Sequence, residues 1–312
     1  MTKHNIKWIL AFAGAIVVVL LLRGFAFTSC LIPSTGMENS LFQGERILVN
    51  KWSYGLRVPF MSLFSYHRWC ESPVQRQNIV LFNNPASIQQ PAIDRREVYI
   101  SRCIGTPGDT LMIDSLFTIV SPEAQANPDK KKLYSYPASK EELLATLMKT
   151  LSIGNDGPMG SNDSTHVRSF SHYEYYLLEQ AMNEKHWLEP TTDEKGSDLK
   201  PLIVPGKGKV LRVYPWNITL LRNTLVMHEG KQAEIKNDTL YIDGSPTQHC
   251  YFTKDYYWMA SNNTINLSDS RLFGFVPKDH VIGKASLIWF SKEKNTGLFN
   301  GYRWNRFCQT IK

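Results

Sequence analysis

An uncharged apolar run from Trp8 to Leu22, closed by Lys7 on one side and Arg23 on the other, constrains this chain more than any other feature. At 1.5 Å per helical residue it covers roughly 22 Å, short of a bilayer core of about 30 Å. Ile6 at one end and Gly24 to Phe27 at the other extend it to spanning length, with the stems of Lys7 and Arg23 reaching the two interfaces. Lys3, Lys7 and the terminal amine precede the run, and only Arg23 closes it. This asymmetry predicts a cytoplasmic N-terminus, a single pass through the cytoplasmic (inner) membrane and an extracytoplasmic body. A cleaved signal peptide is the rival reading. Its small-x-small pattern is poor, with Ala26-Phe27-Thr28 the nearest match, and Cys30 of the lipoprotein-like Phe27-Thr28-Ser29-Cys30 stands well past the run. Residues 1–27 are therefore expected to be the cytoplasmic N-terminus and an uncleaved anchor. No later segment approaches spanning length.

The remainder has the composition of a globular body. Of 312 residues, 43% are apolar and 20% charged, which excludes a disordered tail and a multi-span channel. The 35 Lys and Arg exceed the 28 Asp and Glu, but the excess is scattered. It speaks against a nucleic-acid partner and suits work beside an anionic membrane. Cys30, Cys70, Cys103, Cys250 and Cys308 lie far apart with no CxxC spacing, so no zinc or dithiol redox site is expected. Buried free thiols acting as small hydrophobes are the expectation, with no metal and no cofactor.

Along the body, short apolar runs at Ile47–Val49, Ile79–Phe82 and Val98–Ile100 read as strands, and Gly105-Thr106-Pro107-Gly108-Asp109 as a turn. Residues 116–200 are polar and carry two capping-box signatures. Ser139-Lys140-Glu141-Glu142 opens a helix to about 152, and Ser171-His172-Tyr173-Glu174 opens another to about 185. Strands resume at Val210–Val213, Ile218–Leu221 and Thr239–Ile242. The expected organisation is a mainly β core in two parts, 28–115 and 201–290. A variable, partly helical cap at 116–200 interrupts it, and a basic aromatic tail at 291–312 follows. The C-terminal stretch interleaves Trp289, Phe290, Leu298, Phe299, Tyr302, Trp304 and Phe307 with Lys292, Lys294, Arg303, Arg306 and Lys312. That pattern suits a membrane interface or the closing of the core equally.

Four ordered blocks carry a resemblance. Ile32-Pro33-Ser34-Thr35-Gly36-Met37-Glu38-Asn39-Ser40-Leu41, followed by Gly44 to Lys51, resembles the first block of type I signal peptidases, P-S-x-S-M-x-P-T-L then G-D-x-I-L-V-N-K. Arg76 to Pro85 is similar to R-G-D-I-V-V-F-x-x-P, and Tyr99 to Asp109 to Y-I-K-R-V-x-G-x-P-G-D. Met259 to Pro277, with Asp269-Ser270-Arg271 inside it, is similar to the last block, and Gly283-Lys284-Ala285 follows. The resemblance implies a signal peptidase I-like β core and a membrane-anchored serine endopeptidase that removes signal peptides. In that family a serine attacks the scissile carbonyl and a neutral lysine takes its proton.

Carried over residue by residue, the dyad is missing. The nucleophile position holds Gly36 and the general-base position Ser101. The last block has Ala260-Ser261 for Gly-Asp, Asn263 for Arg, and Leu267 where a lysine-orienting serine is expected. Ser34, matching the oxyanion-stabilising serine, is retained. Ile32, Met37, Tyr99 and Ile100 match groove positions, and in the plainer reading they pack the core. Arg102, Pro107, Gly108, Asp109, Asp269, Ser270 and Arg271 match the structural motif. The implied protein is a homologue without catalysis that binds exported preproteins or envelope partners, such as an active signal peptidase or the translocation machinery. The alternatives are an active enzyme with a relocated nucleophile, with Lys51 or Lys284 approaching in space, and a structural subunit of an envelope complex.

Overall fold

The computed structural model describes residues 3–311 except 59–60, 62–63, 65, 114–118, 120–130, 152, 154–156, 159, 162–163, 183–186, 192–198, 264–268 and 295. The chain enters as the helix Lys3–Leu21, continues through a π-helical turn at Leu22–Ala26 and passes directly into the strand Phe27–Leu31. Trp8–Ala26, with mean hydropathy 2.5, is long and apolar enough to cross a membrane. Two side chains of the body grip its end. Lys51 Nζ donates to the Gly24 carbonyl at 3.0 Å, and Trp52 Nε1 to the Phe25 carbonyl at 2.9 Å.

The body is mainly β. Its principal sheet runs, edge to edge, Phe27–Leu31, Glu45–Asn50, Val281–Ser291, Ile79–Asn83, Val98–Gly105, Tyr256–Ala260 and Val276–Pro277. All these pairings are antiparallel. Ile79–Asn83 is buried at every position because both faces of the sheet are covered. The two-residue period sends Ile79 and Leu81 into a cluster with Ile32, Met37, Ile47 and Val49. Val80 and Phe82 go into another, with Tyr54, Cys103, Tyr257 and Met259.

A second core forms around Leu111, Leu202, Leu221, Leu240 and Trp258, between strand pairs and the helix Ile218–His228. Residues Ile218–Leu221, expected as a strand, are the first turn of that helix. Ile218, Leu221, Leu225 and His228 are its buried face, a spacing of three to four that a four-residue window is too short to reveal.

Residues 131–190 build their own four-stranded sheet, in the order Glu189–Pro190, Lys131–Pro137, Thr165–Ser171, Gly160–Ser161. The helices Glu141–Thr150 and His172–Ala181 pack on it around Tyr136, Leu144, Phe170 and Leu178. These strands have no counterpart in the sequence reading, where helix signals dominated. The Ser171 capping box forms: Ser171 Oγ accepts from Glu174 N at 3.2 Å, and Glu174 Oε2 from Ser171 N at 2.7 Å. The box expected at Ser139 does not form. Ser139 lies in a 3-10 turn, and the helix begins at Glu141 with Lys140 at its cap.

All five cysteines are free, but only Cys103 and Cys250 are buried, and Cys70 and Cys308 are exposed. In the tail, Arg306 binds the fully buried Glu45 at 2.9 Å, and Trp304 and Phe307 stack at 5.0 Å. Leu298, Phe299 and Trp304 nonetheless remain mostly exposed.

Candidate functional site

The turn after Val98–Gly105 is built from its own residues. Gly105 has no room for a side chain: a Cβ there would stand 2.8 Å from both Leu111 Cδ1 and Val204 Cγ2. Gly108 takes φ +93°, which favours glycine. Asp109 Oδ2 accepts from Thr106 N and Thr106 Oγ1, both at 2.7 Å, and from Arg76 Nε at 2.8 Å. Burial tends to raise this carboxyl, but the hydrogen bonds from Arg76 and Thr106 outweigh it and hold the group down to about 2.

Asp269-Ser270-Arg271 braces the end of the Tyr256–Ala260 strand. Asp269 is fully buried and accepts from Ser261 N at 2.8 Å and from Arg271 Nη2 at 2.7 Å. Ser270 Oγ accepts from Met259 N at 2.9 Å. Leu267 lies outside the described residues.

Gly36 sits in the turn between Phe27–Leu31 and Glu45–Asn50, where its carbonyl accepts from Asn263 N at 3.0 Å. Ser101 is fully buried beside its cross-strand partner Val80, and its Oγ donates to the Ile100 carbonyl at 2.8 Å. The structure brings the two regions together. Arg102 Nη2 donates to Ser40 Oγ at 2.7 Å, and Asn262 Nδ2 donates to Ser40 Oγ at 2.8 Å and to the Glu38 carbonyl at 3.1 Å. Ala260 is the cross-strand partner of Arg102. Of the groove positions, Ile32 and Met37 are 3% and 1% exposed, in one apolar cluster that Ile100 flanks. Tyr99 packs instead on the other side of the sheet and stacks on Phe273 at 5.9 Å. Ser34 is half-buried in the same loop.

A group of charges that the sequence did not single out clamps the Gly36 turn. Lys131 is 3% exposed, and its Nζ lies 2.6 Å from Glu38 Oε2 and 3.7 Å from Glu174 Oε1. Its backbone N–H donates to the Asn262 carbonyl at 2.7 Å, and Ser169 Oγ donates to Asn263 Oδ1 at 3.1 Å. One end of the inserted sheet thus closes over the turn, since Lys131 is the cross-strand partner of Ser171, two residues from Ser169. Glu38 and Lys131 stand 93 residues apart, so no local pattern could have paired them. The weak signal available was Glu174 itself, already marked by its capping box.

Lys131 is engaged by two carboxylates, Lys51 is bound at the anchor's end, and Lys284 belongs to a sheet strand opposite Val80 and Asn50. Ser40 Oγ accepts from two donors. None of these contacts joins a serine hydroxyl to a lysine amine, the pairing that activates a serine nucleophile.

A profile of the family described as "Signal peptidase, peptidase S26" matches residues 5–167 and 247–290. The chain is 27% identical over 281 residues to Signal peptidase I of Buchnera aphidicola subsp. Schizaphis graminum, covering 89% of this chain and 72% of that relative. It is 24% identical over 298 residues to Signal peptidase I of Haemophilus influenzae, covering 95% and 72%. To Signal peptidase I of Pseudomonas aeruginosa it is 35% identical over 104 residues, 32% of each chain.

Proposed function

The chain belongs to the signal peptidase S26 family, and on that premise we propose that it binds exported chains or envelope partners without cleaving them. It is anchored once in the cytoplasmic membrane, with its N-terminus inside and the body outside. The observation that carries this reading is the pair of replacements at the dyad. Gly36 has no side chain to form an acyl-enzyme. Ser101 cannot accept a proton near neutral pH, and its hydroxyl is turned to the Ile100 carbonyl. Oxyanion stabilisation by Ser34 would act on a reaction with no nucleophile. What supports a binding role is the retained scaffold: the Asp109 turn, the Asp269 brace and the apolar cluster of Ile32 and Met37 that Ile100 flanks.

The test is cleavage of a standard preprotein by the purified full chain. The wild type is expected to turn over at least roughly 10⁴-fold more slowly than an active family member, the cost of losing a dyad residue. Gly36→Ser alone and Ser101→Lys alone stay inactive, while the double variant gains weak activity. Robust wild-type cleavage abolished by Ser34→Ala would establish the relocated-nucleophile reading instead. Retention of a labelled signal peptide by the wild type separates binding from a purely structural role. Protease added to spheroplasts is expected to digest the body, and full protection would reverse the orientation.

A further inference from the structure

Away from the Gly36 turn, the buried Arg68 and the half-buried Arg57 and Arg96 lack ion-pair partners among the described residues. Arg57 and Arg68 face each other directly in the ribbon of Leu56–Arg57 and Arg68–Trp69, and like charges so placed destabilise a sheet. Arg96, from the segment before Val98–Gly105, reaches the same region through His280. The partners of all three guanidiniums are neutral. Arg57 donates to Asn83 Oδ1 at 3.0 Å and to Met61 Sδ at 2.7 Å. Arg68 donates to the carbonyls of Tyr54, at 3.4 Å, and Val281. Arg96 donates to the carbonyls of Gln90 and Pro85 at 2.8 and 3.3 Å, and lies 3.0 Å from His280 Nε2.

No ion pair engages any of the three among the described residues. The buried carboxylate in range, Asp279, is committed to His280 Nδ1 and Lys254 Nζ, both at 2.7 Å. Asp94 is in range of Arg57 but exposed. Arg68 is 6% exposed, yet its Nε has no partner among the described residues, and neither does the buried hydroxyl of Tyr66, whose ring centroid lies 6.0 Å from Arg68 Cζ. Burial, with Arg68 adding to it, pushes the Arg57 guanidinium down to about 10. A buried charge that lacks a counter-charge costs several kcal/mol. Two facing forked donors, Arg57 and Arg68, beside hydrogen-bonding capacity unfilled among the described residues, with Arg96 across His280, fit a tetrahedral oxyanion, which guanidinium groups bind bidentately.

The ribbon's position indicates where such an anion is met. It follows the turn whose Lys51 and Trp52 hold the end of the anchor, and Leu56–Arg57 lies against residues 22–26. Trp52, Phe64 and Trp69 are exposed around it, the aromatic pattern of a membrane interface.

We propose that Arg57 and Arg68, with Arg96 across His280 adding to the positive charge, form a binding site for a phosphate group at the membrane end of the body, supplied by an anionic phospholipid headgroup or by free phosphate. The site is independent of the dyad and of any cleavage. The test is thermal unfolding of the full chain in a neutral detergent, titrated with dihexanoyl phosphatidylglycerol, with inorganic phosphate, and with dihexanoylglycerol, which has the same chains and no phosphate. The wild type is expected to melt at higher temperature with phosphatidylglycerol and not with dihexanoylglycerol. A matching response to inorganic phosphate assigns the site to free phosphate, and none assigns it to the headgroup. Arg57→Gln and Arg68→Gln raise the half-saturating concentration about 10-fold or more, one lost charge-assisted hydrogen bond each. Without ligand, Arg57→Gln melts at or above the wild-type temperature, since it relieves a repulsion. No shift with either phosphate source, an equal shift with dihexanoylglycerol, or a full response in both variants would overturn the proposal.

Discussion

The Thr106–Asp109 turn and the Gly36–Ser40 turn each lie within a block that resembles the same family, yet they are held in opposite ways. In the first, the Asp109 carboxylate is met by Thr106 three residues away and by one arginine from the neighbouring block, and the backbone of Gly108 and Asp109 is paired from afar, by Val204. The second has its polar groups met from far along the chain, by Asn262, Asn263, Arg102 and the buried Lys131. The side-chain bonds of a turn of the first kind are set by residues close in sequence. A turn of the second kind is only as ordered as the parts that converge on it. Here one of those parts is the inserted sheet, so the state of the insertion is coupled to the turn that carries Gly36.

The sharpest way to break the contrast is Lys131→Met. It leaves Glu38 and Glu174 facing each other in a nearly dry site, and the expected loss is about 3–5 kcal/mol in denaturant unfolding of the full chain. Adding Glu38→Gln is expected to restore part of it, because one of the uncompensated charges is removed. If Lys131→Met unfolds like the wild type, the turn does not depend on the insertion.

Asp109→Asn probes the local turn, with an expected cost of about 1.5 kcal/mol, the low end for charge-assisted hydrogen bonds because Arg76 is substantially exposed. The native Asp109 titrates at about 2 against an unfolded value of about 3.9. Its contribution is therefore complete above the unfolded value and lost as the pH falls from about 4 to about 2. The Asn variant is expected to lack that component of acid destabilisation, which a pH series of unfolding midpoints measures.

Smallest is the comparison of two serines. Ser171→Ala removes a formed capping box and is expected to cost about 1 kcal/mol. Ser139→Ala, in a box that does not form, is expected to leave the melting temperature unchanged. Equal effects would mean that the cap at Ser171 contributes nothing beyond propensity.

These pairs also mark how far the sequence was readable. Strands such as Ile79–Asn83 and Thr239–Ile242 announced themselves because an apolar run of that length, bounded by polar residues, has few other places to go. The Ser171 box was readable since its partners are three residues apart. The same signature at Ser139 misled, because Pro137 and a 3-10 turn set the chain's entry into the helix. Ile218–Leu221 misled because four apolar residues carry no period. The strands at Lys131–Pro137 and Thr165–Ser171 were hidden by polar side chains, Lys131, Arg168 and Ser169 among them, that are buried only because distant groups satisfy them.

By itself the sequence determined the apolar helix, the four blocks that resemble the family and the identities of Gly36 and Ser101 within them. Each of these is a matter of which residue stands at which position, and no folding changes it. Only the tertiary structure decided that Lys131 meets Glu38 and Glu174, that Arg57 faces Arg68, and that Lys51 and Trp52 hold the anchor's end. Charges and hydrogen-bonding groups act through distance in space. A pairing between residues 93 positions apart exists only once the sheets that carry them have closed.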